Sequence, residues 1–362
     1  MTNRPSAPAR GVSIATVAER AGVSIATVSR VMNGIAKKAS GETAERVRQA
    51  VAELGYRPVS VGRALQARQS RLVALLVPNL ANPAMATIAA SVEAALRRQG
   101  LVMVLCDTHD QPDIQDEYLL EMRAQLVRAT VLLGAVASPQ LSAMVAGGEA
   151  LLFVNRRYPG AQPSPYISPS PYIGPSPYIG PSPYIGPSPY IGIDNAAAGR
   201  EVAAFFLSRG MTVAGVIHGN LASSATAERV VAFRSALSQA GKGLTDASII
   251  TCDGTDHLQI GYRCAGALIA KRSAVRQGIF CSSDLIAYGA YRAIIERGLR
   301  VPEEVTLVGF DDNLLNDWIA PWLTSVRVPY DHFGDAVVQA LIAIWAGQAV
   351  PPIKLEHLLV VR

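Results

Sequence analysis

Cysteine is scarce in this chain of 362 residues, and the four present (Cys106, Cys252, Cys264 and Cys281) show no C-x-x-C spacing. That argues against a disulfide framework and reads as reduced core residues of a cytosolic protein. The five histidines lack ligand spacing, so no metal and no other cofactor is expected. No run of eighteen apolar residues exists, which argues against a membrane-spanning helix. The N-terminal TNRPSAPARG lacks the apolar core of an export signal, so a cytoplasmic location is expected. Missing too are a phosphate-cradling glycine loop, paired catalytic carboxylates and a nucleophile elbow. These absences point to a chain that binds and does not catalyse.

What is present is positive charge at one end. Residues 1–70 carry eleven Lys/Arg against four Glu, or +7, and the whole chain is +5, so the remainder is −2. This is the footprint of a polyanion-binding module joined to a near-neutral domain, with a solvated charge run as the plain alternative. Helix punctuation favours the module. Ser13 can cap a helix carrying Val17, Ala18 and Ala21, stopped by Gly22. Ser24 caps a second helix, Ile25 to Met32, closed by Asn33-Gly34. A third begins near Ser40, carries Ala44, Val47, Val51 and Leu54, and ends at Gly55. The turn of about three residues between the first two is that of a helix-turn-helix.

In that geometry the second helix enters the major groove of double-stranded DNA with its N-terminal turn leading. Ile25 and Ala26 then face base edges, where apolar groups favour thymine methyls, and Arg30 reaches guanine or phosphate. Ser24, Thr27 and Ser29 suit backbone phosphates, and Asn33 closes the set at the helix end. The competing reading for each is an ordinary helix surface. Beyond Pro58, VSVGRALQAR has helical spacing weakened by two valines and a glycine, so it is expected to order on binding. Leu65, between Arg63 and Arg68, is a candidate minor-groove wedge when paired with a second subunit, or alternatively packs on the following domain.

Residues 71–362 alternate short β-rich runs (LVALLVP, LVMVLCDT, TVLLGAV, ALLFVN, TVAGVIHG, SIITCDG, GIFCSSD, VTLVGFDD) with helical stretches. The pattern predicts parallel sheets wrapped by helices, with length enough for two lobes. The strands end in polar tips: Asn79, Asp107, Asn155, His218, Asp253, Asp284 and Asp311. Ligands of open α/β sheets sit at such carboxyl ends, so a cleft between the lobes is expected to bind a small molecule.

The stretch IATVAERAGVSIATVSRVMNG, ELGYRP at 53–58, RALQARQS at 63–70, SSDLIAYGAYRAIIERGLRVPEEVTLVGFDD at 282–312 and PWLTSVRVPYDHFG at 321–334 resemble the lactose/galactose repressor (LacI-GalR) family. The resemblance covers nearly everything except residues 1–12 and one insertion. It implies an all-α helix-turn-helix domain followed by a two-lobed α/β domain like that of periplasmic binding proteins, with parallel sheets flanked by helices. It implies a repressor, a homodimer on a near-palindromic operator, switched by a sugar-like or purine-like effector. By the same resemblance Arg229 grips the effector, Asp311 lies near it, and Ser283-Asp284 stand where many relatives place asparagine first. Asn82 follows the first strand, with Ala84 in place of a common aromatic, and Ile193 and Asp194 lie where the chain enters the second lobe. A buried, purely structural Arg–Asp pair is the alternative. A periplasmic binding protein, a sugar-binding protein with a vestigial head and a DNA-binding scaffold without effector response are the rival classes.

The expected layout is a disordered tail over 1–12, the helix-turn-helix at 13–57, a hinge at 58–70 and the effector domain at 71–362. Its first lobe is expected at 71–160 and 325–348, its second at 193–324 and 349–362. The insertion is five hexapeptides over 163–192, PSPYIS once and PSPYIG four times, holding ten of the 23 prolines. Two prolines in six preclude helix and central strand, so the surplus copies form a solvent loop, with YIGID at 190–194 opening the second lobe. Tandem duplication at a surface crossover explains it; a Pro/Tyr arm that binds a partner is the functional alternative.

Overall fold

The computed structural model describes residues 12–32, 40–56, 70–160, 188–269 and 276–362. It forms two compact units, one ending at Ser70 and one beginning at Arg71. The first holds α1 (Ile14–Ala21), α2 (Ile25–Met32) and α3 (Gly41–Leu54). One device starts all three: Ser13, Ser24 and Ser40 each accept from the backbone amide three residues on, that of Thr16, Thr27 or Thr43. That satisfies a donor the first turn would otherwise leave open. Gly22 and Gly55 stop α1 and α3 at φ +64° and +60°, a left-handed geometry a side chain resists. Val17, Ala18, Ala21, Val28, Val31, Ala44, Val47 and Ala50 close one shared core. Asn33 and Leu65, and the stretch 57–69 that includes most of the expected hinge, lie outside the described residues.

The second unit is built on two six-stranded sheets. The first contains β1 (Leu72–Val77), β2 (Val102–Asp107), β3 (Ala129–Leu133), β4 (Leu151–Val154), β5 (Tyr190–Ile193) and β11 (Ile353–Leu355). The second contains β6 (Thr212–Ile217), β7 (Ile249–Ile250), β8 (Gln277–Cys281), β9 (Val305–Asp311), β10 (Thr324–Arg327) and β12 (Leu358–Val360). Among the described residues every strand pairing is parallel except β10 with β12. The helices are α4 (Pro83–Arg98), α5 (Pro112–Ala124), α6 (Pro139–Ala146), α7 (Asn195–Ser208), α8 (Ser224–Gln239), α9 (His257–Leu268), α10 (Asp284–Ile295), α11 (Asn316–Ile319) and α12 (Phe333–Trp345).

Parallel strands covered on both faces are apolar throughout, and their period of two divides them between two cores. Val73, Leu75 and Val77 of β1 pack with residues of α4 and α12, whereas Ala74 and Leu76 face a separate cluster with Leu119 and Leu141. In the second sheet Val308 and Phe310 join the α7–α8 side, while Val305 and Leu307 join Ile260 and Ile286 of α9 and α10. The chain passes between the lobes three times, after β5, after β10 and after β11.

Three lobe boundaries differ from the sequence reading. Residues 190–193 do not open the second lobe; they pair with β4 (Phe153↔Tyr190, Val154↔Ile191) and with β11 in the first sheet. Residues 324–327 pair with β9, so the return to the first lobe begins after Arg327. Residues 353–355 belong to the first sheet, and of 349–362 only Leu358–Val360 joins the second. Such memberships are set by pairing across the chain, which local pattern does not carry. Residues 163–187 of the repeat lie outside the described set; the last copy supplies Tyr190, Ile191 and Gly192 to β5.

Candidate functional site

The outward face of α2 is the first candidate surface. Ser24, Ile25, Ala26 and Arg30 are exposed, Thr27 and Ser29 half-buried, and Val28 and Val31 turn inward. Ile25 is 50% exposed, an apolar cost with no gain inside the isolated fold. The helix contains no acid, so its positive dipole end and Arg30 act without a counter-charge on the same element. Arg30 Nε donates to the Ala26 carbonyl at 3.1 Å, which lays the guanidinium along this face.

The second candidate is a cleft of about 460 Å³ between the lobes of the second unit. Its first-lobe wall is formed by Asn79, Asn82, Met85, His109, Asp110 and Arg156, and its second-lobe wall includes Asn220, Thr226, Thr255, Asp256, His257 and Leu285. Strand ends build it. His109 and Asp110 follow β2 and Asn155 follows β4, with φ of 51°, 59° and 63°, a left-handed backbone that turns these loops inward. Arg156 and Asp110 pair at 2.5 Å and neutralise each other within the wall. His257 Nδ1 lies 2.9 Å from Ser283 Oγ. Burial, and then Arg156, lower the His257 pKa, so the ring is held neutral. No phenyl, phenol or indole ring lines this cleft among the described residues.

Of the seven effector candidates, Asn82 alone lines this cleft, and its Oδ1 also caps α4 through the Ala84 amide. Ser283 is one contact behind, against His257, and caps α10. Ile193 is core, and Asp194 caps α7 and pairs with Lys354 at 2.8 Å beside two of the interlobe crossings. Arg229, Asp284 and Asp311 form a buried polar floor within the second lobe. Arg229 donates to Asn195 Oδ1 (2.7 Å) and to the Ser282 carbonyl (3.1 Å), with its guanidinium 3.4 Å above the Phe310 ring. Asp311 accepts from Tyr330 Oη at 2.7 Å and takes φ +115°, a strained conformation for aspartate. Asp284 accepts from Ser325 Oγ, Asn316 Nδ2 and the Asn313 amide. Burial pushes Asp284 up to about 7 and Asp311 up to about 6, the Arg229 charge holding the latter down.

Sequence reasoning named the strand tips but missed His109, Asp110, Arg156, Thr226, Asp256 and His257, which stand just beyond a tip or one helical turn inside the next element. It also missed the latch between lobes, where Arg157 donates Nε to Glu228 at 3.0 Å and its amide to Ser224 Oγ at 2.8 Å. The doublet His109-Asp110, just beyond the strand tip Asp107, was the available signal.

A capped three-helix head with a bare apolar recognition face, joined to a two-lobed domain with an interlobe cleft, defines a ligand-responsive DNA-binding protein as a class. Comparison with known proteins narrows it. Residues 13–59 match the model for bacterial regulatory proteins of the lacI family, and residues 203–362 match a periplasmic binding protein-like domain. The transcriptional regulator GntR of Pseudomonas aeruginosa is 30% identical over 335 residues, 92% of this chain and 89% of that protein. The solved complex of the transcriptional regulator CelR with cellobiose is 28% identical, with a TM-score of 0.66 over 97% of this chain and 99% of that one. A lac repressor dimer bound to operator and the anti-inducer ONPF shares the fold, with a TM-score of 0.77 at 24% identity over 98% of each chain. The chain belongs to the lacI family of bacterial regulatory proteins, and it is a transcriptional regulator.

Proposed function

We propose that this regulator is a cytoplasmic repressor, without enzymatic activity, that binds a near-palindromic operator as a homodimer and answers to a small-molecule effector in the interlobe cleft. The observation that carries the DNA reading is the half-exposed Ile25 beside Ala26 on the serine-capped, acid-free face of α2. On that reading Ile25 and Ala26 meet base edges, Arg30 meets guanine or phosphate, and Ser24, Thr27, Ser29 and Asn33 fix register on phosphates. Leu65 acts as the minor-groove wedge. The dimer reading is supported by residues 314–319, where Leu314 is 80% and Trp318 83% exposed beside Leu315 and Ile319. So dense an apolar surface fits a second copy of the chain.

For the cleft, Asn82 and the polar groups of both walls contact the effector, a sugar-like or purine-like molecule. Arg229, Asp311, Asp284 and Ser283 shape its second-lobe floor, and Ile193 and Asp194 set the crossing beside it. Effector binding shifts operator affinity only as far as it prefers one lobe arrangement over the other. Selection of bound duplexes from a random pool tests the function: two half-sites related by a dyad are expected. Sequence-indifferent binding at moderate salt refutes it. A thermal-shift ligand screen with and without the selected duplex separates an effector-responsive repressor from a DNA-binding scaffold.

A further inference from the structure

The loop that leaves β4 carries three consecutive residues with different attachments. Asn155 turns the backbone at φ +63°, and its carbonyl accepts from Tyr190 Oη at 3.2 Å. Arg156 pairs with Asp110 in the first-lobe wall of the cleft. Arg157 reaches the second lobe: its amide donates to Ser224 Oγ at 2.8 Å and its Nε to Glu228 Oε1 at 3.0 Å, both on α8. Ser224 and Glu228 stand four residues apart, on one face of that helix. The Arg157 guanidinium also lies 4.2 Å from the centre of the Tyr190 ring, which is buried in the first lobe as part of β5. The last copy of the hexapeptide thus supplies the platform that aims Arg157 at α8.

We propose that Arg157, Ser224 and Glu228 form a latch that holds the two lobes together over the cleft without need of a ligand. An isolated, half-exposed ion pair contributes little, because two long side chains must be ordered to make it. Here that ordering is largely in place before the lobes meet. The Tyr190 ring stacks the guanidinium. The bond to Ser224 uses a backbone amide, which has no rotamers of its own to lose. On both sides the latch alternates with cleft-lining residues: Arg156 precedes Arg157, and Thr226 lies between Ser224 and Glu228. A molecule that displaces Arg156 from Asp110 therefore moves the loop bearing Arg157. The latch is a fixed bias on the lobe equilibrium, to which the preference of any cleft ligand for one arrangement is added.

Its bearing on operator affinity rests on the regulation proposed above; the latch itself does not. The test follows hydrogen exchange, resolved to single residues, in the full-length protein at low salt with neither effector nor operator. Glu228→Ala, a helix-favouring change at a half-buried position, should fold normally. It leaves the Arg157 amide and its Ser224 acceptor in place, yet exchange at that amide should quicken about fivefold because the lobes part more often. Amides inside β4 and in the middle of α8 should exchange as before. In the wild type, added salt should produce the same acceleration by screening the pair, and the variant should not respond. Unchanged exchange at Arg157 in the variant, acceleration that spreads through α8, or an equal salt response in both proteins would each overturn the proposal.

Discussion

Replacing Arg229 with methionine asks whether the cation under the cleft holds the second lobe together. The residue is 7% exposed. Its charge-assisted hydrogen bonds to Asn195 and the Ser282 carbonyl are worth about 1.5–3 kcal/mol each. A desolvated guanidinium over the Phe310 ring adds about 2 kcal/mol. Against this, methionine fills much of the volume, and loss of a buried charge recovers part of its desolvation cost. A net destabilisation of about 3–4 kcal/mol is expected, a large share of the ~5–15 kcal/mol typical of a domain.

The pH dependence adds a second reading of the same variant. Asp311 titrates at about 6 in the folded protein, raised by burial and held down by Arg229. A carboxyl whose folded pKa exceeds its unfolded value contributes stability that is fully present below the unfolded pKa and is lost as pH rises through the folded one. For Asp311 that window runs from the ordinary 3.8 to about 6. Without Arg229 its upper edge moves higher, so the Arg229→Met deficit should be larger near pH 8 than near pH 5. The difference is about 1.4 kcal/mol for each unit of added shift. Adding Asp311→Asn should recover about 1–2 kcal/mol near pH 8 and remove that pH dependence. Urea unfolding followed by tryptophan fluorescence reads this cleanly, because all three tryptophans (Trp318, Trp322, Trp345) lie in the second unit. A loss below about 1 kcal/mol, or no recovery in the double variant, would refute the structural assignment of Arg229.

Ile25→Ser should weaken binding to the selected operator by about 1–3 kcal/mol while leaving binding to random duplex almost unchanged, as titration of both duplexes would show. Trp318→Asp should shift the protein from dimer to monomer in sedimentation velocity; an unchanged dimer would move the interface elsewhere. Deleting residues 163–186 should preserve folding and operator affinity, since doubling a loop costs only about 0.6 kcal/mol. Loss of solubility or of DNA binding in that deletion would give the repeat a role.

The helices of the head were legible because capping is local chemistry. A serine oxygen three residues from an open amide and a glycine that tolerates positive φ mark the start and stop of a helix without reference to the rest of the chain. The strands were legible for a related reason: with both faces covered, runs such as LVALLV stay apolar along their length. Sheet membership was not legible, because β5 is drawn to the first sheet by β4 and by β11, which lies some 160 residues further along the chain. The cleft shows the same division. A strand tip such as Asp107 can be found by pattern, yet its carboxylate is consumed by the Leu80 and His109 amides. The groups left facing the cavity, His109, Asp110 and Arg156, depend on left-handed turns and on a pairing between loops of β2 and β4. Pattern therefore finds the strand ends that shape the loops, while the residues that meet a ligand are chosen by how those loops close. The cleft-facing groups are accordingly the place to look for what distinguishes this regulator's effector from those of its relatives.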